Sequence, residues 1–179
     1  MSTAESQPVF DALAVVVMGV SGAGKTTVGL ALAQALGAGF IDGDDLHSDA
    51  ARAKMAAGHA LTDEDRWPWL DRVGAALAGN GRRIVACSAL KRAYRDRIRA
   101  GAGPALRFVY LVAEPVAMRA RVASRPGHYM PASLVDSQFA TLEPPHDEPD
   151  VIAWPADADL GNGLAPLVEA LRKPASRQI

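Results

Sequence analysis

The sequence holds one cysteine, Cys87, among 179 residues. No intramolecular disulfide can form and a four-cysteine zinc site is excluded, a composition that suits a reducing compartment. Net charge is nearly absent as well: 19 lysines and arginines stand against 20 aspartates and glutamates, leaving −1 at neutral pH. No basic field invites nucleic acid or an anionic membrane, so neither partner is expected. Long apolar runs are also missing. The longest, Ala12 to Met18, is far too short to span a bilayer. The first ten residues lack the basic-then-apolar order of a signal peptide, so a soluble cytoplasmic protein is the expectation. What is present is an ordinary globular balance, 49% hydrophobic and 22% charged, in a length able to bury one core without staples. No repeat or low-complexity block divides it. Residues 1–179 read as one domain with a core at about 13–173, a polar leader over 1–10 and a frayed tail over 174–179.

Hydrophobic patterning then sets the order of elements. Leu13 to Val20 is an unbroken, valine-rich run, as a central parallel strand covered on both faces requires. A helix over Thr27–Leu36 stops at Gly37. Phe40-Ile41 is a short strand running into Asp42-Gly-Asp-Asp45. Ser48 caps a helix through Met55, and another helix runs from about Asp65 to Leu77. Arg83–Cys87 is a strand followed by a helix across Lys91–Arg99. Leu106–Val112 is a strand, and Pro115 opens a helix reaching Arg125. Ser133–Leu142 reads as helix, Val151–Trp154 as the last strand and Leu164–Arg172 as the closing helix. Five alternations of this kind predict an α/β fold: a parallel sheet of about five strands between helical layers, with ligands gathered at the strands' carboxyl ends.

Chemistry-bearing residues follow those ends. Gly19-Val-Ser-Gly-Ala-Gly-Lys-Thr26 matches the phosphate-loop pattern G-x-x-x-x-G-K-S/T between a predicted strand and a predicted helix. Its glycines let successive N–H groups turn toward phosphate oxygens, and the helix behind adds its positive end. The nucleotide set is therefore Gly19, Ser21, Gly22, Ala23, Gly24, Lys25, Thr26 and Thr27. Lys25 reaches the β- and γ-phosphates and Thr26 holds Mg²⁺. The guanine-reading N-K-x-D is absent, which speaks against a GTPase. Asp71-Arg-Val-Gly74 matches a bare D-x-x-G but falls mid-helix, and reads as chance. The strand ending in Cys87-Ser88 lacks the acid that an ATPase motor places there, so a small-metabolite kinase remains.

On the acceptor side, the carboxylates after Ile41 admit two readings. Asp42 would hold a water on Mg²⁺ while Asp44 orients or deprotonates the acceptor hydroxyl; alternatively the loop merely caps the helix that follows. In Thr62-Asp-Glu-Asp-Arg-Trp-Pro-Trp-Leu70, Thr62 and Asp65 form a capping pattern and the tryptophans supply anchors. Arg66 held in that frame either clamps a carboxylate or pairs with Asp63 or Asp65. Lys91 faces the same site or ends a turn.

These segments, with Gly127-His-Tyr-Met-Pro131 and Ser137-Gln-Phe-Ala-Thr-Leu-Glu143, resemble the gluconokinase family in order and spacing across most of residues 13–154. The phosphate loop is common to many kinases; the other segments are far more specific. The resemblance implies ATP- and Mg²⁺-dependent phosphorylation of D-gluconate at its 6-hydroxyl. It also implies a three-layer fold like the nucleoside monophosphate and shikimate kinases, with a small lid at about 121–135. By it Lys25 and Thr26 serve the phosphates, Asp44 the acceptor hydroxyl, and Arg66 and Lys91 the anionic substrate. Arg121 and Arg125, one helical turn apart, become lid arginines that close over the transferring phosphate, Arg125 counted among the catalytic residues. Otherwise they are solvated charges paired with Glu114 or Asp136. A kinase for another acceptor such as shikimate, and a nucleotide-binding regulatory module without turnover, stay open as alternatives. The oligomeric state also stays open, a homodimer being one option.

Overall fold

The computed structural model describes residues 12–124 and 132–173. The expected leader and tail, and Arg125 and His128 of the expected lid, lie outside the described residues.

Five strands form the sheet: β1 (Leu13–Met18), β2 (Gly39–Asp42), β3 (Arg82–Ala86), β4 (Leu106–Val112) and β5 (Val151–Pro155). All pair in parallel, in the order β2-β3-β1-β4-β5, so β1 is central. Its side chains alternate between two cores, as the period of a strand demands. Val15 and Val17 pack with Leu32 and Leu36 of helix α1 (Lys25–Leu36) and with Val168 and Leu171 of α7 (Leu160–Arg172). Val16 and Met18 pack on the other side with Leu70 and Val73 of α3 (Asp63–Leu77) and Ile98 of α4 (Arg92–Ala102). Each buried side chain of this size contributes about 1.5–3 kcal/mol, which is why β1 reads as apolar without a polar face.

Three shorter helices complete the described residues: α2 (Asp49–Ala56), α5 (Pro115–Ala123) and α6 (Ala132–Thr141). Where boundaries differ from expectation, caps explain it. Thr62 accepts from the Asp65 N–H and the Asp65 side chain accepts from the Thr62 N–H; that capping box starts α3 at Asp63 rather than Asp65. The Asp159 carboxylate caps the Gly161 N–H, so α7 begins at Leu160, four residues before the expected Leu164 and across two glycines. Helix α5 ends at Ala123, short of Arg125. The D-x-x-G match lies inside α3, where Asp71 pairs with Arg97 and Gly74 packs against Gly101 of α4.

The order also fixes the site. From β1 the chain runs out to β2, returns to β3, then crosses over β1 to β4, so the winding direction reverses beside β1. Val17 and Asp42 both register with Ala86, and the Gly19 N–H donates to the Ser88 carbonyl. Three strand ends, carrying the phosphate loop, the acidic loop and the Cys87–Lys91 loop, therefore finish at one edge.

Candidate active site

Between β1 and α1 the backbone turns through Gly19 (φ +147°), Gly22 (φ +84°) and Gly24 (φ +93°), a region that side chains disfavour. At Gly22 the space is tight as well, since an added Cβ would stand 3.0 Å from Val122 Cγ2 on α5. Gly24 is the N-cap of α1 and supplies no side chain to its first N–H groups, which leaves the positive end of that helix open to an anion. Lys25 Nζ donates to the Val20 carbonyl at 3.1 Å, folding over the loop it serves. Thr26 and Thr27 are exposed on the first turn, and Ala23 is buried beneath them. Two later helices reach the same loop. Arg121 Nη1 donates to the Gly22 carbonyl at 3.2 Å, and the Ser21 N–H donates to Gln138 Oε1 at 2.6 Å.

At the end of β2, the acidic loop makes a capped turn whose first carboxylate also faces the phosphate loop. Asp42 caps a 3-10 turn over Gly43–Leu46, Oδ1 accepting from the Asp44 N–H at 3.1 Å. Its Oδ2 faces the phosphate loop and accepts from Thr26 Oγ1 at 3.4 Å. Asp44 is exposed on the turn. The turn is locked in place because Gly43 abuts β3; a Cβ there would lie 2.3 Å from the Ala86 carbonyl oxygen. Trp69 Nε1 closes it by donating to the Gly43 carbonyl at 2.7 Å, and the same indole stacks on His47 with ring centroids 4.3 Å apart. Burial lowers the His47 pKa, outweighing the attraction of Asp44, so its imidazole is neutral near neutral pH.

The N-termini of α3 and α4 meet beside this turn. Lys91 Nζ donates to both oxygens of Asp63, at 2.9 and 3.1 Å, and the Tyr94 hydroxyl donates to Asp63 Oδ1 at 2.5 Å. Arg66 Nη1 lies 3.6 Å from the same carboxylate and 3.3 Å from the Tyr94 oxygen. Of the two ion pairs expected for Arg66, the one with Asp63 forms; Asp65 instead takes Lys54 and the Thr62 cap. The Tyr94 hydrogen bond first, and then Lys91, hold the Asp63 carboxyl below its ordinary range, while Asp63 raises Lys91. Two cations thus share one carboxylate.

The loop carrying Lys91 is braced from below. Ala89 adopts a left-handed φ of +44°, rare for a residue with a side chain. Arg95, 1% exposed, holds it there: Nη1 donates to the Ala89 and Leu90 carbonyls at 2.9 and 3.0 Å. The same guanidinium pairs with the buried Glu148 and reaches the Glu143 carbonyl. Burial raises the Glu148 carboxyl, but Arg95 and Arg99 outweigh it and hold the group charged. Cys87, fully buried under this loop, has its thiol pushed up to about 12 by desolvation.

The expected residues Lys25, Thr26, Asp42 and Arg121 therefore converge on the phosphate loop, and Arg66 converges with Lys91 on Asp63. Arg121 does not pair with Asp136, which Arg119 takes instead. Tyr94 carries no chemical signal in the sequence, Asp63 only that of an ion-pair partner for Arg66, and Gln138 only its place in the Ser137–Glu143 segment. Tyr94 shares an apolar helix face with Ile98 and reads as core; Asp63 lies in the first turn that the capping box adds to α3; Gln138 reaches a partner 117 residues away.

A family model described as an AAA domain matches residues 15–145. A gluconokinase of Gluconobacter oxydans (strain 621H) is 48% identical over 142 residues, 76% of this chain and 79% of that protein. Among solved structures, a gluconokinase from Sinorhizobium meliloti 1021 superimposes with a TM-score of 0.80 at 44% identity, covering 89% of this chain and 95% of that one. A shikimate kinase from Aquifex aeolicus, at 14% identity and a TM-score of 0.61, shares the fold. With most of both chains aligned at such identities, this chain belongs to the gluconokinase family of P-loop kinases.

Proposed function

We infer that this protein phosphorylates D-gluconate at the expense of ATP, giving 6-phospho-D-gluconate and ADP. The observation that carries the reading beyond a generic phosphate-loop kinase is the Arg66–Asp63–Lys91 cluster at the same sheet edge as the phosphate loop. Two cations against one carboxylate leave a local positive excess, suited to one more carboxylate.

The acceptor's 6-hydroxyl oxygen forms a bond to the γ-phosphorus as the bond from that phosphorus to the β-bridging oxygen breaks and ADP departs. The hydroxyl proton passes to the Asp44 carboxylate and from there to solvent. Lys25 and the N–H groups at the start of α1 stabilise charge on the phosphate oxygens, and Arg121 approaches them from α5. Arg125 is assigned the same role from the family resemblance alone. Thr26 Oγ1 and Asp42 form an all-oxygen pair at the loop's mouth, which fits Mg²⁺ held by one hydroxyl and, through water, one carboxylate. Mg²⁺ held there would supply positive charge to offset the negative charge of the phosphates.

Arg66 is the better reader of the gluconate carboxylate. Lys91 is already held by both oxygens of Asp63, whereas among the described residues Arg66 engages only Nη1, leaving the Nε–Nη2 edge of its fork to bind a planar anion. Among the described residues no helix is long and apolar enough to cross a membrane. The reading places the enzyme in the cytoplasm, where ATP is supplied.

The test is ATP consumption against a panel of gluconate, glucose, shikimate and a nucleoside monophosphate, with and without Mg²⁺. Turnover with gluconate alone, dependent on the metal, is expected. Turnover with shikimate but not gluconate, or no turnover at all, overturns the reading.

A further inference from the structure

The phosphate loop exists to offer N–H donors to an anion, yet one of those donors is filled by a neutral side chain. The Ser21 N–H is bonded at 2.6 Å to the amide oxygen of Gln138, which arrives from α6. The contact is not incidental to a loose surface. Val135, one helical turn before Gln138 on the same face, is fully buried in the core cluster that includes Met118 and Val122 of α5. Beyond Gln138, the Glu143 N–H donates to the Leu90 carbonyl and the Glu143 carboxylate accepts from the Arg92 N–H at 2.6 Å. Gln138 thus projects from an element anchored through Val135 and, past its end, through Glu143, between the phosphate loop and the loop that carries Lys91.

We propose that Gln138 is a positioning residue of the nucleotide site: its amide oxygen occupies the Ser21 N–H as a stand-in for a phosphate oxygen and yields that donor when ATP binds. This rests on the assignment of residues 19–26 as the phosphate loop. One N–H cannot serve two acceptors at full strength, and a bond to a charged phosphate oxygen is about twice as strong as one to a neutral amide. The amide oxygen therefore competes with phosphate for this donor, but far less than an anion would. It satisfies a half-buried donor that would otherwise stand bare beside the Gly22 turn. A glutamate would hold the donor too strongly and repel the phosphates; an apolar side chain would leave it open.

Two substitutions separate this role from its rivals because they move affinity in opposite directions. Binding of a non-hydrolysable ATP analogue is measured by calorimetry for wild type, Gln138→Glu and Gln138→Met, beside thermal melts and the KM for gluconate. Gln138→Glu is expected to weaken the analogue by about tenfold or more, and Gln138→Met to tighten it by about threefold. The KM for gluconate should stay within about twofold in both. In the wild type, the Ser21 amide resonance should move on addition of the analogue, and in Gln138→Met it should start displaced. Weakening by both substitutions would make Gln138 a direct nucleotide ligand, and equal affinity in all three would make the contact structural only; either result overturns the proposal. The functional reading is scored separately. A wild type that binds the analogue but leaves gluconate untouched defeats the acceptor assignment and not the Gln138 one.

Discussion

Lys91 and Asp63 form a two-pronged ion pair, the ammonium 2.9 and 3.1 Å from the two carboxylate oxygens, across 28 residues of sequence. Each is about one-third exposed, so the pair adds little to stability. Its consequence is for binding. The pair commits Lys91 and leaves Arg66, attached to the same carboxylate at only 3.6 Å, as the cation with hydrogen-bonding capacity to spare.

Arg66→Leu should therefore lower kcat/KM for gluconate roughly ten- to a hundredfold, the loss of about 1.5–3 kcal/mol expected for a hydrogen bond to a charged group. The KM for ATP should hardly change, and the preference for the acid over an uncharged polyol should shrink. Lys91→Met should cost less. Steady-state kinetics on both variants decide the matter: a larger loss at Lys91 would transfer the carboxylate to that residue.

At Asp44 the effect should fall on kcat. Asp44→Asn keeps the shape of the turn, whose geometry depends on the Asp44 N–H and not on its carboxylate. It removes the proton acceptor proposed above, so turnover should drop by on the order of 10²-fold or more with nucleotide affinity preserved. Calorimetric ATP binding beside single-turnover rates checks this; an unchanged kcat would reduce Asp44 to a surface acid.

Arg95→Met should destabilise the fold by about 3 kcal/mol, because Glu148 keeps a buried charge with only Arg99 beside it. Pairing it with Glu148→Leu should recover part of the melting temperature, by removing the unpaired buried charge. It should not recover the KM for gluconate, since the Ala89 and Leu90 carbonyls still lack their donor and the Lys91 loop is no longer braced. Full recovery of both would show that the brace has no part in the site.

Asp65 provides a pH test. The Lys54 hydrogen bond, then the Thr62 N–H, depress its carboxyl to about 2 from an ordinary 3.8. A folded-state value below the unfolded one means that the unfolded chain binds the extra proton first. The stabilisation is thus fully present above about pH 4 and is lost as pH falls toward 2. Carboxyl resonances followed through an acid titration should place Asp65 near that value. Lys54→Met should move it back up toward the ordinary value; no movement would remove the Lys54 contact as the cause.

How much of this was legible in the sequence follows from distance along the chain. Phosphate-loop glycines, the alternation of strand and helix, the Ser48 cap and the Thr62–Asp65 box are set by neighbours within a few residues, and all are present as read. The gluconokinase-like segments also stood in plain order. Where α7 starts was misread because the Asp159 cap outweighs the glycines that suggested a later beginning. What only the tertiary structure decided joins distant segments: Asp63 with Tyr94 and Lys91, Arg95 with Glu148, and Gln138 with Ser21 across 117 residues. The periodicity of a helix or strand records which face is buried and nothing of which side chain waits opposite. That choice is made when the crossover from β3 to β4 reverses the winding, setting α3 and α4 on one side of β1 and α5 and α6 against the phosphate loop.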